Sequence, residues 1–432
     1  MNAAQGRQGL LAGSATYLAA NLVNAVIPFA LLPVLTRYMV PAEYGQVAMY
    51  QVVLAALSGI VGLSVVSSAN IKYYDDGITT EQLGSFIGAC FQIMCMTVVV
   101  LVPVAIVARA PLAKWLGLEP LWLVWSVFAS AANFTCLMRL GQWQVRGRAF
   151  RYGTFQVMQS LANAVLTLLL VVGFAQGAKG RIDAQNWVLA GSALVACGLL
   201  AKDRLIALSW RPDYLREALR FGVPLIPHIL GIFLLGTVDR MMINSRRGLA
   251  AAGIYMVAVQ LTLALPILFS AINNAYVPWL FERLKRNDPA EKRRIVAGTY
   301  AYFLVALALA GLAFLFGPLA VRIIAGARYV EAGSVLGWLA LGHVFGGMYV
   351  MVTNYIFFSK RTGLLSVVTI SSGLLNVALQ FVLIGAWGIR GAAIAFATAM
   401  GLRFLLTWVV AHRRHPMPWS DFRLNDALKG TW

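Results

Sequence analysis

The chain has 432 residues, 60% of them hydrophobic and only 12% charged, and its 35 Lys and Arg outnumber its 16 Asp and Glu for a net charge of +19. Soluble domains carry about 25% charged residues, so this composition, with a mean hydropathy of +0.75, excludes a soluble domain of any size. The basic residues are scattered over short segments, which argues against nucleic acid as a partner, and no nucleophile–His–acid constellation or metal-ligand spacing points to an enzyme.

Runs of 18 or more apolar residues read as membrane-spanning helices. Twelve are expected, near 10–36, 44–70, 84–108, 120–142, 152–174, 186–207, 219–243, 251–278, 297–317, 331–358, 363–385 and 391–411. The fold class predicted is all-α, a polytopic membrane protein of about 12 transmembrane helices in two pseudo-symmetric six-helix lobes. The first span is too long for a signal-peptide core and is expected to remain in the mature protein. Loop Lys and Arg fall on one side by more than two to one, which places both termini in the cytoplasm. Cys90, Cys95, Cys136 and Cys197 all fall in spans and read as small packing residues.

In the first span, Arg7, Ser14, Tyr17, Asn21, Asn24 and Pro28 recur at helical spacing and share one face. Polar side chains on one face of a spanning helix point at protein or water rather than lipid. That makes the face a candidate cleft lining, or interhelical hydrogen-bond glue. Arg37 closes the same span. Lys72 precedes the third span and Arg139 sits near the end of the fourth. The basic stretch 201–220 divides the chain into an N-terminal lobe (1–208), a cytoplasmic inter-lobe linker (209–218) and a C-terminal lobe (219–432). Six is even, so the halves enter the membrane from the same side and any repeat is parallel. Residues 148–166 align with 361–379, matching Asn163 to Asn376, and Gly45 falls opposite Gly253.

The seventh span begins with Arg220, Pro224, His228 and Gly231 on one face. It ends in "GTVDRMMI", where Asp239 and Arg240 stand side by side. Adjacent helical residues point about 100° apart, so each charge is expected to need its own partner, with Arg37 a candidate for Asp239. In the eighth span Tyr255, Thr262, Pro266, Ser270 and Asn273 repeat the polar face, with Asn274 beside them. Apart from Asp203 at a cytoplasmic end, Asp239 is the one carboxylate expected at a span edge. A cation-coupled antiporter needs a carboxylate deep in the membrane; the first span has none. The candidate site is built from cations, amides and phenols, which suit phosphate and sugar hydroxyls. Arg403, halfway along the last span, reads equally as a lipid-phosphate ligand, a paired residue or a snorkelling one.

The stretches "LLPVLTRYMVPAEYGQVAMYQ" (31–51) and "GTVDRMMINSRRGLAAAGIYMVA" (236–258) each hold a span end, a short turn and a glycine opening the next helix. In these features the chain resembles bacterial polysaccharide repeat-unit flippases of the O-antigen translocase type, within the multidrug/oligosaccharidyl-lipid/polysaccharide exporter superfamily. The resemblance implies a flippase moving undecaprenyl-pyrophosphate-linked oligosaccharide from the cytoplasmic to the outer leaflet of the inner membrane. The polar faces and span-edge charges read above make Arg7, Tyr17, Asn21, Asn24, Arg37, Lys72, Arg139, Arg240, Asn273 and Asn274 the substrate-binding candidates, and His228 and Asp239 candidates for a coupling or conformational switch. Expected partners are the lipid-linked oligosaccharide, membrane lipid, and a polysaccharide polymerase and chain-length regulator. No cofactor is expected, and proton or sodium coupling is left open. The alternatives are a cation-coupled multidrug antiporter of the same superfamily and a non-transporting membrane scaffold.

Overall fold

The structure is a computed structural model describing residues 23–24, 26–359 and 363–420. Arg7, Tyr17 and Asn21 lie outside the described residues. Helices in chain order are α1 (Val26–Tyr38), α2 (Pro41–Ile60), α3 (Val66–Lys72), α4 (Thr80–Leu116), α5 (Pro120–Val145), α6 (Ala149–Leu168), α7 (Gly177–Lys202), α8 (Pro212–Gly222), α9 (Ile226–Gly236), α10 (Val238–Thr262), α11 (Ala264–Arg286), α12 (Pro289–Ile324), α13 (Gly333–Phe358) and α14 (Gly363–Arg414). No strand occurs among the described residues.

Ten helical stretches are long and apolar enough to cross a membrane, and α1 is a shorter apolar helix. The longest of the last stretches is two crossings. Within α14, Gly388 adopts φ 57°, ψ −136°, a conformation open to glycine and costly for residues with a Cβ, and the chain reverses there. With that break and α1, the crossings among the described residues come to twelve, and the protein is an all-α polytopic membrane protein. Between the seventh and eighth crossings the break is at Gly248, whose φ is 82°.

The boundaries differ from the sequence reading chiefly at α7. It starts at Gly177 rather than near residue 186, because "GRIDAQNW" looks like loop by hydropathy but has helical backbone. This correction brings Arg181 and Asp183 inside a crossing, so Asp239 and Asp203 are not the only carboxylates there. Cys90 and Cys136 are buried, whereas Cys95 and Cys197 are exposed on α4 and α7.

The chain divides into two compact units, 1–233 with 247–253, and 234–246 with 254–432. Apolar side chains gain little by leaving lipid for protein, so helices in membranes associate through close backbone approach at small residues. In the first unit a Cβ on Gly45 would lie 2.0 Å from the Leu249 carbonyl oxygen, and one on Gly253 would lie 2.0 Å from that of Pro41. The two glycines that the sequence set opposite each other therefore close one contact. On α4, Gly84 and Gly88 admit the extended backbone of 204–209, and the Ala207 N–H donates to the Gly84 carbonyl at 3.1 Å. Residues 209–218, expected as a linker, lead from this docked segment into α8, whose Ala218 is fully buried with Phe86, Ile87 and Met138. The second unit packs Phe303, Met348, Tyr355 and Phe404 at its core.

Candidate polar chamber and the membrane charges

Four helices of the first unit place uncharged polar side chains around a cavity of about 410 Å³. From α2 come Gln51 and Ser58, from α5 Ser130 and Asn133, from α6 Gln159, Ser160 and Asn163, and from α7 Gln185. On α2 and α5 the polar residues recur at intervals of seven and three, and on α6 Gln159 and Asn163 stand four apart with Ser160 beside Gln159, so each set keeps to one side of a 3.6-residue period. The faces lie about midway along their helices. Leu54, Val188 and Leu189 complete the apolar part of the wall, and none of the described lining residues carries a charge.

The amides are held by one another. Gln51 Nε2 donates to Gln185 Oε1 at 2.8 Å. Ser160 Oγ donates to Asn24 Oδ1 at 2.6 Å, and Asn24 Nδ2 donates to Gln156 Oε1 at 3.0 Å. Asn24, taken from the first span's polar face, thus braces the chamber wall through Ser160. Arg181 Nη1 donates to Asn163 Oδ1 at 2.9 Å and to Thr167 Oγ1 at 3.1 Å. With its oxygen committed to Arg181, Asn163 has its N–H groups left for the chamber. A carboxamide offers both donor and acceptor, as does a sugar hydroxyl, so a ring of amides and hydroxyls can satisfy a polyol on all sides.

The remaining expected site residues sit elsewhere. Lys72 Nζ lies 2.8 Å from both Asp75 and Glu217. Burial opposes its charge, but the hydrogen bonds and charges of those two carboxylates outweigh it and hold the ammonium above its ordinary range. Arg139, 1% exposed, donates to Asp203 at 2.5 Å and lies over the Trp143 ring, its Cζ 4.2 Å from the centroid. Burial raises the Asp203 pKa, yet the hydrogen bond and charge of Arg139, with Arg148 and Arg146, bring it below the ordinary carboxylate range. Arg37 and His228 are exposed in the first unit.

In the second unit, Tyr255 Oη donates to Asp239 Oδ2 at 2.8 Å, and the Arg240 N–H donates to Asp239 Oδ1 at 2.8 Å. The neighbouring side chains, expected to need separate partners, are 4.0 Å apart, and Arg240 Nη1 also donates to the Gly236 carbonyl at 3.0 Å. The geometry is possible because α9 ends at Gly236, leaving its carbonyl free, and α10 begins at Val238, leaving its first N–H groups free. Asn354 Nδ2 donates to Asn273 Oδ1 at 2.7 Å, while Asn274 is exposed. Asn376 donates to the Leu234 and Leu235 carbonyls at 3.0 and 3.3 Å.

The chamber residues other than Asn24 were not picked out by sequence reasoning. The one signal toward them was the internal repeat, since Asn163 in the chamber is the residue aligned with the fully buried Asn376.

Comparison with known proteins agrees with this architecture. The chain is 24% identical over 388 residues, 84% of this chain and 89% of the other, to Lsg locus putative protein 1 of Haemophilus influenzae. The fold matches that of the lipid II flippase MurJ in an inward closed conformation, with a TM-score of 0.76 at 15% identity, covering 96% of this chain and 89% of that one. It also matches an inward-facing multidrug resistance MATE family transporter of the MOP superfamily, with a TM-score of 0.67 at 16% identity over 92% and 94%. The family model described as polysaccharide biosynthesis protein matches residues 10–284, and the chain belongs to that family.

Proposed function

We propose that the protein is an alternating-access flippase that moves undecaprenyl-pyrophosphate-linked oligosaccharide repeat units from the cytoplasmic to the outer leaflet of the inner membrane, for O-antigen or another surface polysaccharide. The observation that carries this reading is the chamber. It offers amides and hydroxyls and no charge among its described lining residues, which suits sugar rings. A deeply placed carboxylate, which a hydrophobic cation would require, is absent from that lining. The family assignment supports the same substrate chemistry.

In this reading the basic end of the first unit, where Arg146 and Arg148 flank the Arg139–Asp203 pair, faces the cytoplasm and draws the anionic headgroup toward the protein. The prenyl tail stays in lipid and the sugars exchange water for chamber amides. Each such hydrogen bond contributes about 0.5–1.5 kcal/mol net, and a sugar hydroxyl left buried without a partner costs about 1–3 kcal/mol.

The test is the double variant Asn133→Leu, Asn163→Leu, expressed in a strain lacking the chromosomal copy. Surface polysaccharide should fall about tenfold or more, the effect of losing roughly 1.4 kcal/mol or more of binding, with membrane protein level unchanged by immunoblot. Polymer at wild-type level would remove the chamber from the substrate path. A cation-coupled multidrug antiporter is the second reading, favoured by the fold shared with the MATE transporter.

A further inference from the structure

Arg403 is a cation in mid-membrane. Roughly 16 Å of helix, at 1.5 Å per residue, separates it from the end of α14 at Arg414. Its guanidinium carbon lies 3.8 Å from the Tyr349 ring centroid and its Nη2 donates to Thr369 Oγ1 at 3.3 Å. These contacts come from α13 and from the first half of α14, all within the second unit. They pin the side chain in place, so it does not reach along the helix toward the headgroup layer.

Two buried cations each have a carboxylate, Arg139 with Asp203 and Arg240 with Asp239, whereas Arg181 is held by Asn163 and Thr167. Arg403 has none within ion-pair distance among the described residues, and its buried Nε has no acceptor. An arginine at the centre of a spanning helix is costly to insert, and stacking on one aromatic ring offsets only part of that cost. A guanidinium has five N–H donors in a planar fork, and here one hydroxyl engages it.

The neighbourhood supplies further donors. One turn from Thr369 lies Ser372, and one turn from Arg403 lies Thr407. Both are at most 1% exposed, and both hydroxyl oxygens lack a hydrogen-bond partner. A fixed guanidinium with donor hydroxyls on the adjoining turns, and no carboxylate, is the complement of an anion with several oxygens.

Thr369 Oγ1 itself donates to the Leu365 carbonyl at 2.9 Å and so serves to position Arg403. We propose that Arg403, with the hydroxyls of Ser372 and Thr407, forms a phosphate-binding site in the second unit that takes the diphosphate of a prenyl-linked substrate. The proposal rests on the flippase reading. It adds a site for the charged group, separate from the amide chamber for sugars, and assigns the counter-ion of Arg403 to the ligand.

The experiment uses the full chain in nanodiscs and radiolabelled undecaprenyl diphosphate carrying no sugar, so the chamber contributes nothing and the two readings fail separately. Arg403→Met should weaken binding about tenfold or more, as loss of a charged hydrogen bond does. Arg403→Lys, which keeps the charge but not the fork, should fall between the two. The melting temperature of unliganded Arg403→Met should equal or exceed that of the wild type, because a charge without a counter-ion has left the span; a merely structural arginine would lower it. Wild-type affinity in Arg403→Met overturns the proposal. So does displacement of the prenyl diphosphate by equimolar cardiolipin or phosphatidylglycerol, which would make the site a phospholipid headgroup site.

Discussion

Arg139 and Lys72 show how one residue's role depends on a distant partner. As isolated basic residues near spans they read as ligands for an anion. The structure gives them Asp203 and Glu217, 64 and 145 positions away, and neither pairing has a local sequence signal. Asp203 makes a sharp test. Its carboxyl is held below the ordinary range, so its contribution to stability is present above the unfolded pKa near 3.9 and is lost as pH falls through the lower folded value. Asp203→Asn leaves Arg139 buried without its counter-charge, which costs 3–5 kcal/mol for a fully buried pair. With the Asp203 side chain 25% exposed, a loss of roughly 2 kcal/mol is expected at pH 7. Melting of the two proteins from pH 7 down to about pH 3 should show the curves separated at neutral pH and converging in acid. Parallel curves would deny the pair its role.

At the scale of helices, long apolar runs made the crossings legible, and the hairpin at Gly388 fell between two expected spans. What hydropathy did not show was α7 beginning at Gly177 with a polar first turn, and so the inward reach of Arg181 to Asn163 was missed. The chamber was missed for a related reason. An amide or hydroxyl in a single span is most economically read as interhelical glue, and only the convergence of four helices turns five amides and three serines into a cavity. Close packing gives the element-level prediction. A methyl on Gly45 would meet the Leu249 backbone, which cannot rotate away, whereas Gly191 on α7 has open space where its Cβ would be. Gly45→Ala should therefore lower stability by about 1–3 kcal/mol, the cost of overpacking. Gly191→Ala should be neutral or gain up to about 1 kcal/mol from helix propensity. Thermal unfolding of both variants in one detergent checks the contrast, and equal shifts would mean that the α2 contact with 249–253 is not tight.

The whole molecule has a fold that also carries a lipid II flippase and a multidrug transporter, so architecture alone does not select between cargoes. Charge and site chemistry do. With 35 basic residues against 16 acidic ones, the chain is a poor host for lipophilic cations unless carboxylates are gathered where the cargo sits. The described chamber wall has none, and Asp183 faces a separate groove with Trp125 and Trp187. A strain lacking this gene should lose its surface polysaccharide, while its minimum inhibitory concentrations for ethidium and other cationic dyes change by less than about twofold, equivalent to roughly 0.4 kcal/mol. Restoring the wild-type gene should bring back the polymer, and the Asn133→Leu, Asn163→Leu variant should not. The contrary pattern, intact polysaccharide with several-fold greater dye sensitivity, would assign the protein to drug export and the amide chamber to structural packing.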